Sequence, residues 1–404
     1  MDENSLRLLE FHRILEEIAS YGKSPASREL ILSIRPLQEI KEIQGRFALL
    51  REIRRLIKED RLHIEEFDDI KGLLQKLRPE GSFLEPLELY SLRSVFKNIE
   101  RLRSIHDSAK PELMDLLSQL HNPEDLLTII DRSVDEDGNV LDSASAELKD
   151  IRIRKRGIEN RIRKRLDEII HNRQLSAALQ DEYVTLRSGR WVIPLKADFK
   201  GKIPGVIHDI SRTGETVYVE PLEIIGLANE HENILSEEKA EEIRVLKGIA
   251  SLIRRDLDSI ERSYRTLLYI DLLKSIALFS ERLGLEEPLI TEEGKTRLIR
   301  ARHPLLLLLK EKGLINEVVP LDLELTDTER TMVITGPNAG GKTIALKTAG
   351  LLTAMALSGM AIPAGAGSVI PFRREILVDI GDEQSIEESL STFSGHIRNL
   401  STII

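Results

Sequence analysis

Apolar positions recur at helical spacing along the first third of the chain. Leu6, Leu9, Ile14, Leu15 and Ile18 share one face, and Tyr21-Gly22 closes that helix. Ser24-Pro25 offers an N-cap followed by proline at the first helical position, and Pro36 ends the segment. Further amphipathic helices are expected at 38–59, 68–78, 85–105 and 123–132. A longer one starts at Ser143 and runs to about Gln180, with Leu148, Ile151, Ile158, Ile162, Leu166 and Ile169 on one side.

The period then falls to two. Residues 183–187, 191–195, 205–208 and 216–220 read as short strands, separated by Ser188-Gly189, Gly201 and Thr213-Gly214. Helical spacing resumes from about Pro221 to Gly284 as one lever of exceptional length. Two long helices with strands inserted between them make a stalk with a knob. From Glu287 the pattern becomes α/β. An edge strand at 321–325, a β-branched run at 332–335, a helix at 344–357 and short strands at 361–364, 367–370 and 375–380 precede an amphipathic segment at 385–404.

Composition narrows the classes. The 404 residues are enough for two to four domains. Charged residues at 31 % and aromatics at 4 % suit long solvated helices with few stacking platforms. The absence of cysteine excludes disulfides, Cys-ligated zinc and thiol catalysis, and fits a cytoplasmic protein. Apolar runs such as 305–309 are too short to span a bilayer, so no membrane partner is expected, and no signal peptide is visible at Met1-Asp2-Glu3. The acidic turn at 134–139 lacks the closing Glu of a calcium loop. His12, His63, His106 and His121 have no metal-type spacing.

Charge is distributed unevenly. The chain carries −10, yet residues 150–212 hold fifteen Lys/Arg against eight Asp/Glu, which is +7 and leaves −17 on the rest. Phosphate backbone is the natural partner of such a tip. Arg187, Arg190, Lys196, Lys200, Lys202 and Arg212 lie on or beside the predicted turns, where they can reach nucleic acid without displacing core residues.

One motif carries specific chemistry. Gly336-Pro337-Asn338-Ala339-Gly340-Gly341-Lys342-Thr343 fits G-x-x-x-x-G-K-[ST] between a β-branched run and a helical pattern. Glycines let backbone N–H groups turn inward, and the helix that follows presents its positive end to the same anion. Lys342 is expected to reach the β- and γ-phosphates of ATP, and the Thr343 hydroxyl to ligate Mg²⁺.

The segments ITGPNAGGKT (334–343), ARHP (301–304), IPA (362–364) and GDEQSIEESLSTFSGHI (381–397) resemble the ATPase domain of MutS-type proteins, part of the ABC superfamily. The block at 184–221, with LEFHRILEEIASYG (9–22), resembles the second bacterial MutS family more specifically than the mismatch-repair one, and the likeness covers essentially the whole chain. It implies a mostly α, multidomain protein: a helical core (1–140), lever helices with an inserted β-rich clamp (141–290, clamp 183–221) and a partial α/β P-loop ATPase domain (291–404). It also implies a homodimer that sandwiches nucleotide, with Ser391 reaching the partner's γ-phosphate and Gln384 and Asp382 near metal and water. Val318 stands where the mismatch family stacks an aromatic on adenine.

The Asp-Glu-terminated strand on which ABC hydrolysis depends lies downstream of the signature helix in this family, as does its small nuclease domain. The chain is therefore expected to be a fragment or truncated product that binds nucleotide and hydrolyses it poorly, with turnover left open. Three functions follow from the likeness. The first is a DNA-binding clamp that restrains recombination by engaging branched or duplex DNA, in the bacterial nucleoid. The second is an ATPase acting on collided ribosomes and touching rRNA. The third is a non-enzymatic dimerising scaffold.

Overall fold

A computed structural model describes residues 3–105, 110–326, 328–329, 331–337 and 341–380. In chain order the helices are α1 (Glu3–Leu8), α2 (Phe11–Ala19), α3 (Pro25–Leu32), α4 (Ile40–Lys58), α5 (Lys71–Leu77), α6 (Pro86–Ser104), α7 (Pro111–Leu117), α8 (Glu124–Ser133), α9 (Ala146–Ile170), α10 (Leu222–Arg255), α11 (Leu257–Leu283), α12 (Pro304–Glu311) and α13 (Lys342–Leu357). Strands β1 (Thr185–Arg187), β2 (Arg190–Lys196), β3 (Gly205–Ile210) and β4 (Thr216–Pro221) fall between α9 and α10. Strands β5 (Leu289–Thr291), β6 (Thr296–Ala301), β7 (Leu321–Leu325) and β8 (Val369–Pro371) come later. Helix takes up about 54 % of the described residues and both sheets are small, so the expected multidomain, mainly helical class holds.

The chain divides into two compact units. One comprises Met1–Gly72, Ser94–Glu124 and Leu257–Ile404, the other Leu73–Arg93 and Asp125–Asp256. In the first, α2, α3 and α4 pack on α11 through fully buried Ile14, Ile18, Ile31, Ile43 and Ile53, met by Leu267, Ile270 and Leu273. Burying such side chains stabilises by roughly 1.5–3 kcal/mol each, which is why this face of α11 is mostly apolar, with Asp271 and Ser275 as buried polar exceptions. The second sheet runs β5-β8-β6-β7, with β5 and β8 parallel and β6 antiparallel to β7.

The second unit has one core shared by helices and sheet. Ile158, Ile162, Leu166 and Ile169 of α9 meet Ile193, Leu195, Val217 and Val219 of the first sheet and Ile224 and Ile234 of α10. That sheet runs β1-β2-β4-β3 with every pair antiparallel. Gly205, opposite Pro221, is required by close approach: a Cβ there would lie 2.3 Å from the Glu220 carbonyl oxygen.

Two expectations about length and period change. The lever expected from Pro221 to Gly284 is two helices, because Asp256 leaves the helical region (φ −107°) and its N–H bonds Ile253 O at 3.1 Å in a tightened turn. Apolar spacing continues across a one-residue break, so the pattern alone cannot reveal it. The run at 332–335 and the segment 375–380 are not strands. Among the described residues neither finds a ladder partner; Val333 is 79 % exposed, and the Val378 N–H instead donates to Ser5 Oγ at 3.2 Å. A β-branched run becomes a strand only when its backbone groups are paired.

Candidate functional site

The phosphate-cradle motif is bounded by two glycines in conformations that L side chains rarely adopt, Gly336 at φ 149° and Gly341 at φ 79°. No described atom lies within 4 Å of a Cβ built at either, so backbone conformation dictates glycine there. Gly341 is the N-cap of α13 and no described side chain caps that helix, so among the described residues its first-turn N–H groups are available to an anion. Lys342 arches back over the loop, its Nζ donating to Gly336 O at 2.5 Å and Pro337 O at 2.9 Å. Thr343 is exposed at the start of the same helix. These described residues fit a nucleotide phosphate chain with its Mg²⁺. Asn338, Ala339, Gly340, Asp382, Gln384 and Ser391 lie outside the described residues. Val318 is buried (6 %).

The rest of α13 is anchored by the N-terminal helices. Gly350 approaches Leu9, the Leu37 N–H donates to Leu357 O at 2.9 Å, and Arg46 Nη1 donates to Ser358 O at 2.9 Å. Lys347, one turn past the cradle, donates to Glu10 Oε2 at 3.2 Å, and Glu10 also accepts from Arg13 at 2.7 Å. Burial works to raise the Glu10 carboxyl, but these two cations outweigh it and hold the group low. Sequence pattern could not find this link, because its members are 337 residues apart.

His303 sits beside that network, buried (6 %) as the N-cap of α12, with Nδ1 lacking a hydrogen-bond partner among the described residues. Burial pushes its pKa down to about 4; Glu10 opposes this, and Lys347 and Arg13 reinforce it. The ring is therefore neutral when folded, and the unfolded chain binds the extra proton between about pH 6.5 and 4. Stability is complete above that window and falls as pH drops through it, by up to about 3 kcal/mol. His303→Gln is expected to flatten the decline in Tm between pH 6.5 and 5. An unchanged wild-type slope in the variant would exclude His303 as its source.

The six cations proposed to meet nucleic acid do not form one patch. Arg187 ends β1 opposite Arg190 at the start of β2, and Lys196 lies at the end of β2, about 20 Å away at strand rise. Arg190 is committed to the fold: its guanidinium bonds Asn229 Oδ1 at 2.8 Å and Glu232 Oε2 at 3.1 Å, and lies 3.4 Å from the buried Glu220. Arg187 stacks over Tyr218 at 4.4 Å and pairs with Asp209 at 3.3 Å. Lys196 donates to Ala177 O at 3.2 Å. Lys200, Lys202 and Arg212 are exposed, with no side-chain partner among the described residues. Lys200 and Lys202 lie on the β2–β3 connection, whose start is tied to the Arg212 turn by Ala197 N–H donating to Glu215 O at 2.9 Å.

The basic run on α9 divides in the same way. Arg152 bonds Asp142, Glu238 and Glu242 at 2.7, 2.8 and 2.9 Å, and Lys155 and Arg154 pair with Glu238 and Glu237. An acidic stripe on α10 thus neutralises the first half, a partner that a charge count over 150–212 omits. Arg161, Arg163 and Lys164 are exposed without an ion pair among the described residues, Arg163 standing over the Trp191 ring at 5.8 Å.

The family model described as MutS domain V matches residues 332–404, opening just before Gly336. The chain is a MutS-type protein. The protein named endonuclease MutS2 of Maridesulfovibrio salexigens is 34 % identical over 407 residues, covering all of this chain and 52 % of the relative. Its namesake in Solidesulfovibrio magneticus is 36 % identical over 405 residues, with 52 % of that protein covered, and that of Clostridium botulinum is 36 % identical over 410, with 51 % covered. Within the MutS-type class the chain belongs to the MutS2 family. It spans about half the length of the curated relatives it matches. No helix among the described residues is long and apolar enough to cross a membrane.

Proposed function

We propose that this chain is the nucleotide-binding and DNA-engaging part of a MutS-type clamp, which grips branched or duplex DNA and restrains homologous recombination, with nucleotide state governing closure of a homodimer. The observation that carries the reading is the loop at Gly336 and Gly341 with Lys342 arched across it, followed by an uncapped helix start. ATP would be held by Gly336, the backbone of 337–341, Lys342 and Thr343, the last also ligating Mg²⁺. The metal supplies charge neutralisation along the phosphate oxygens. Ser391 of one copy would contact the nucleotide of the other, and Gln384 would orient water.

Lys200, Lys202 and Arg212, with Arg161, Arg163 and Lys164, supply the surface for phosphate backbone. Their lack of a side-chain ion pair among the described residues supports this, since cations already paired release few counterions. The reading is tested by titrating a labelled four-way junction with the chain in the presence of ATP·Mg²⁺, ADP·Mg²⁺ or no nucleotide. Junction affinity is expected to change about five-fold or more between nucleotide states. Equal affinity in all three would overturn nucleotide control, and no binding in any would overturn the clamp.

A further inference from the structure

A cavity of about 510 Å³ opens in the first unit between the chain after α4, the end of α6, the entry to α3, and α11. Its volume falls within the range of small-molecule sites. Among the described residues Lys23, Arg61, His63, Arg101 and Lys274 line it against one carboxylate, Glu65. No described residue of the Gly336–Thr343 loop is part of its wall.

Three of the five basic groups have acidic neighbours. Arg101 lies 2.7 Å from Glu65, Arg61 3.7 Å from Glu59, and His63 Nε2 3.5 Å from Asp60. The two lysines differ: among the described residues neither ammonium has a hydrogen bond or an ion pair, although both side chains are partly buried. Burial drives the Lys274 pKa down, Lys23 adds to this, and Asp271 opposes it. Asp271 forms no ion pair with either ammonium: it is fully buried one turn earlier on α11, its Oδ2 accepts the Lys23 backbone N–H at 2.8 Å, and its Oδ1 has no hydrogen-bond partner among the described residues. A recess with this excess of cations and partly buried ammonium groups favours an added negative charge.

We propose that this cavity binds a multiply charged phosphate anion, of the class of pyrophosphate, tripolyphosphate or the phosphate chain of a nucleotide. Two ammonium groups without a hydrogen bond or ion pair among the described residues favour a ligand with at least two negative charges. The guanidinium forks of Arg61 and Arg101 suit tetrahedral phosphate oxygens better than a single carboxylate. The volume exceeds what a lone halide would fill. The site is separate from the phosphate cradle, and the inference stands or falls without it.

The experiment is calorimetric titration of pyrophosphate and tripolyphosphate, at constant ionic strength, into the whole chain carrying Lys342→Ala. One binding event is expected to remain, and adding Lys274→Met or Lys23→Gln should weaken it about ten-fold or more. Lys274→Met keeps the aliphatic stem and removes a buried charge, so the anion-free Tm is expected to stay level or rise. Should that variant fail to fold, Arg61→Gln, whose side chain is 42 % exposed, serves the same purpose with a loss of about five-fold. ATP binding to the Lys342→Ala chain ten-fold more tightly than tripolyphosphate would name a nucleoside polyphosphate. Equal affinities would assign the phosphate chain alone. Absence of binding in Lys342→Ala, or undiminished affinity in the Lys274 variant, would overturn the proposal.

Discussion

Lys342→Ala is expected to weaken ATP binding at the cradle by roughly 30- to 150-fold, the equivalent of about 2–3 kcal/mol for charge-assisted bonds to phosphate. Lys342 Nζ bonds two loop carbonyls, of Gly336 and Pro337. Both residues are exposed, so water can replace the ammonium at those oxygens and the fold should lose little. The same substitution should therefore leave Tm within about 2 °C of wild type while nucleotide affinity collapses. That separation is the diagnostic. Undiminished ATP binding at that site would remove Lys342 from it and with it the cradle assignment, whereas a matching loss of Tm would point to a structural lysine. Gly341 offers a second handle, because a Cβ-bearing residue at φ 79° is strained whatever the space around it.

The second large effect concerns the sheet tip. Replacing Lys200, Lys202 and Arg212 together with glutamine should reduce the magnitude of the log–log salt slope of duplex or junction binding by about 2.7, at 0.9 per lost phosphate contact. Charge reversal to glutamate at the same three positions should abolish binding at physiological salt. Arg190→Gln is the contrasting case. Its guanidinium is 22 % exposed and supports Glu220, which is 3 % exposed and otherwise contacts only His208 at 2.6 Å among the described residues. Removing it should lower stability by about 1.5–3 kcal/mol and leave the salt slope nearly unchanged. If the triple variant kept the wild-type slope, the tip would not be the phosphate contact. A slope change from Arg190→Gln in a stably folded protein would mean that its internal bonds yield to the ligand.

These contrasts show how far the residue pattern reached. The four strands of the inserted module were legible, since alternation at 191–195 and 216–220 and the turns at Gly189 and Gly214 depend on neighbouring residues alone. The positive φ at Gly336 and Gly341 was legible for the same reason: glycine there answers a local backbone requirement. Helix ends were less so. The helix after Ser143 stops at Ile170, ten residues before the expected end, where the His171 N–H and Nδ1 both turn to Asp167 O.

Charge was the least legible feature. Fifteen Lys/Arg in 150–212 looked like one basic surface, but Arg152, Arg154 and Lys155 are met by Glu237, Glu238 and Glu242 from a helix some eighty residues later. Likewise the unpaired lysines of the cavity come from positions 23 and 274 and have no sequence signature in common.

The sequence by itself determined the family and the periodic elements, because each is written in residues within a few turns of one another. Tertiary structure alone decided which cations are paired, which apolar runs become strands and which lysines meet in one recess. Those outcomes depend on groups brought together across tens or hundreds of residues, and both Coulomb attraction and backbone pairing act through space, not along the chain.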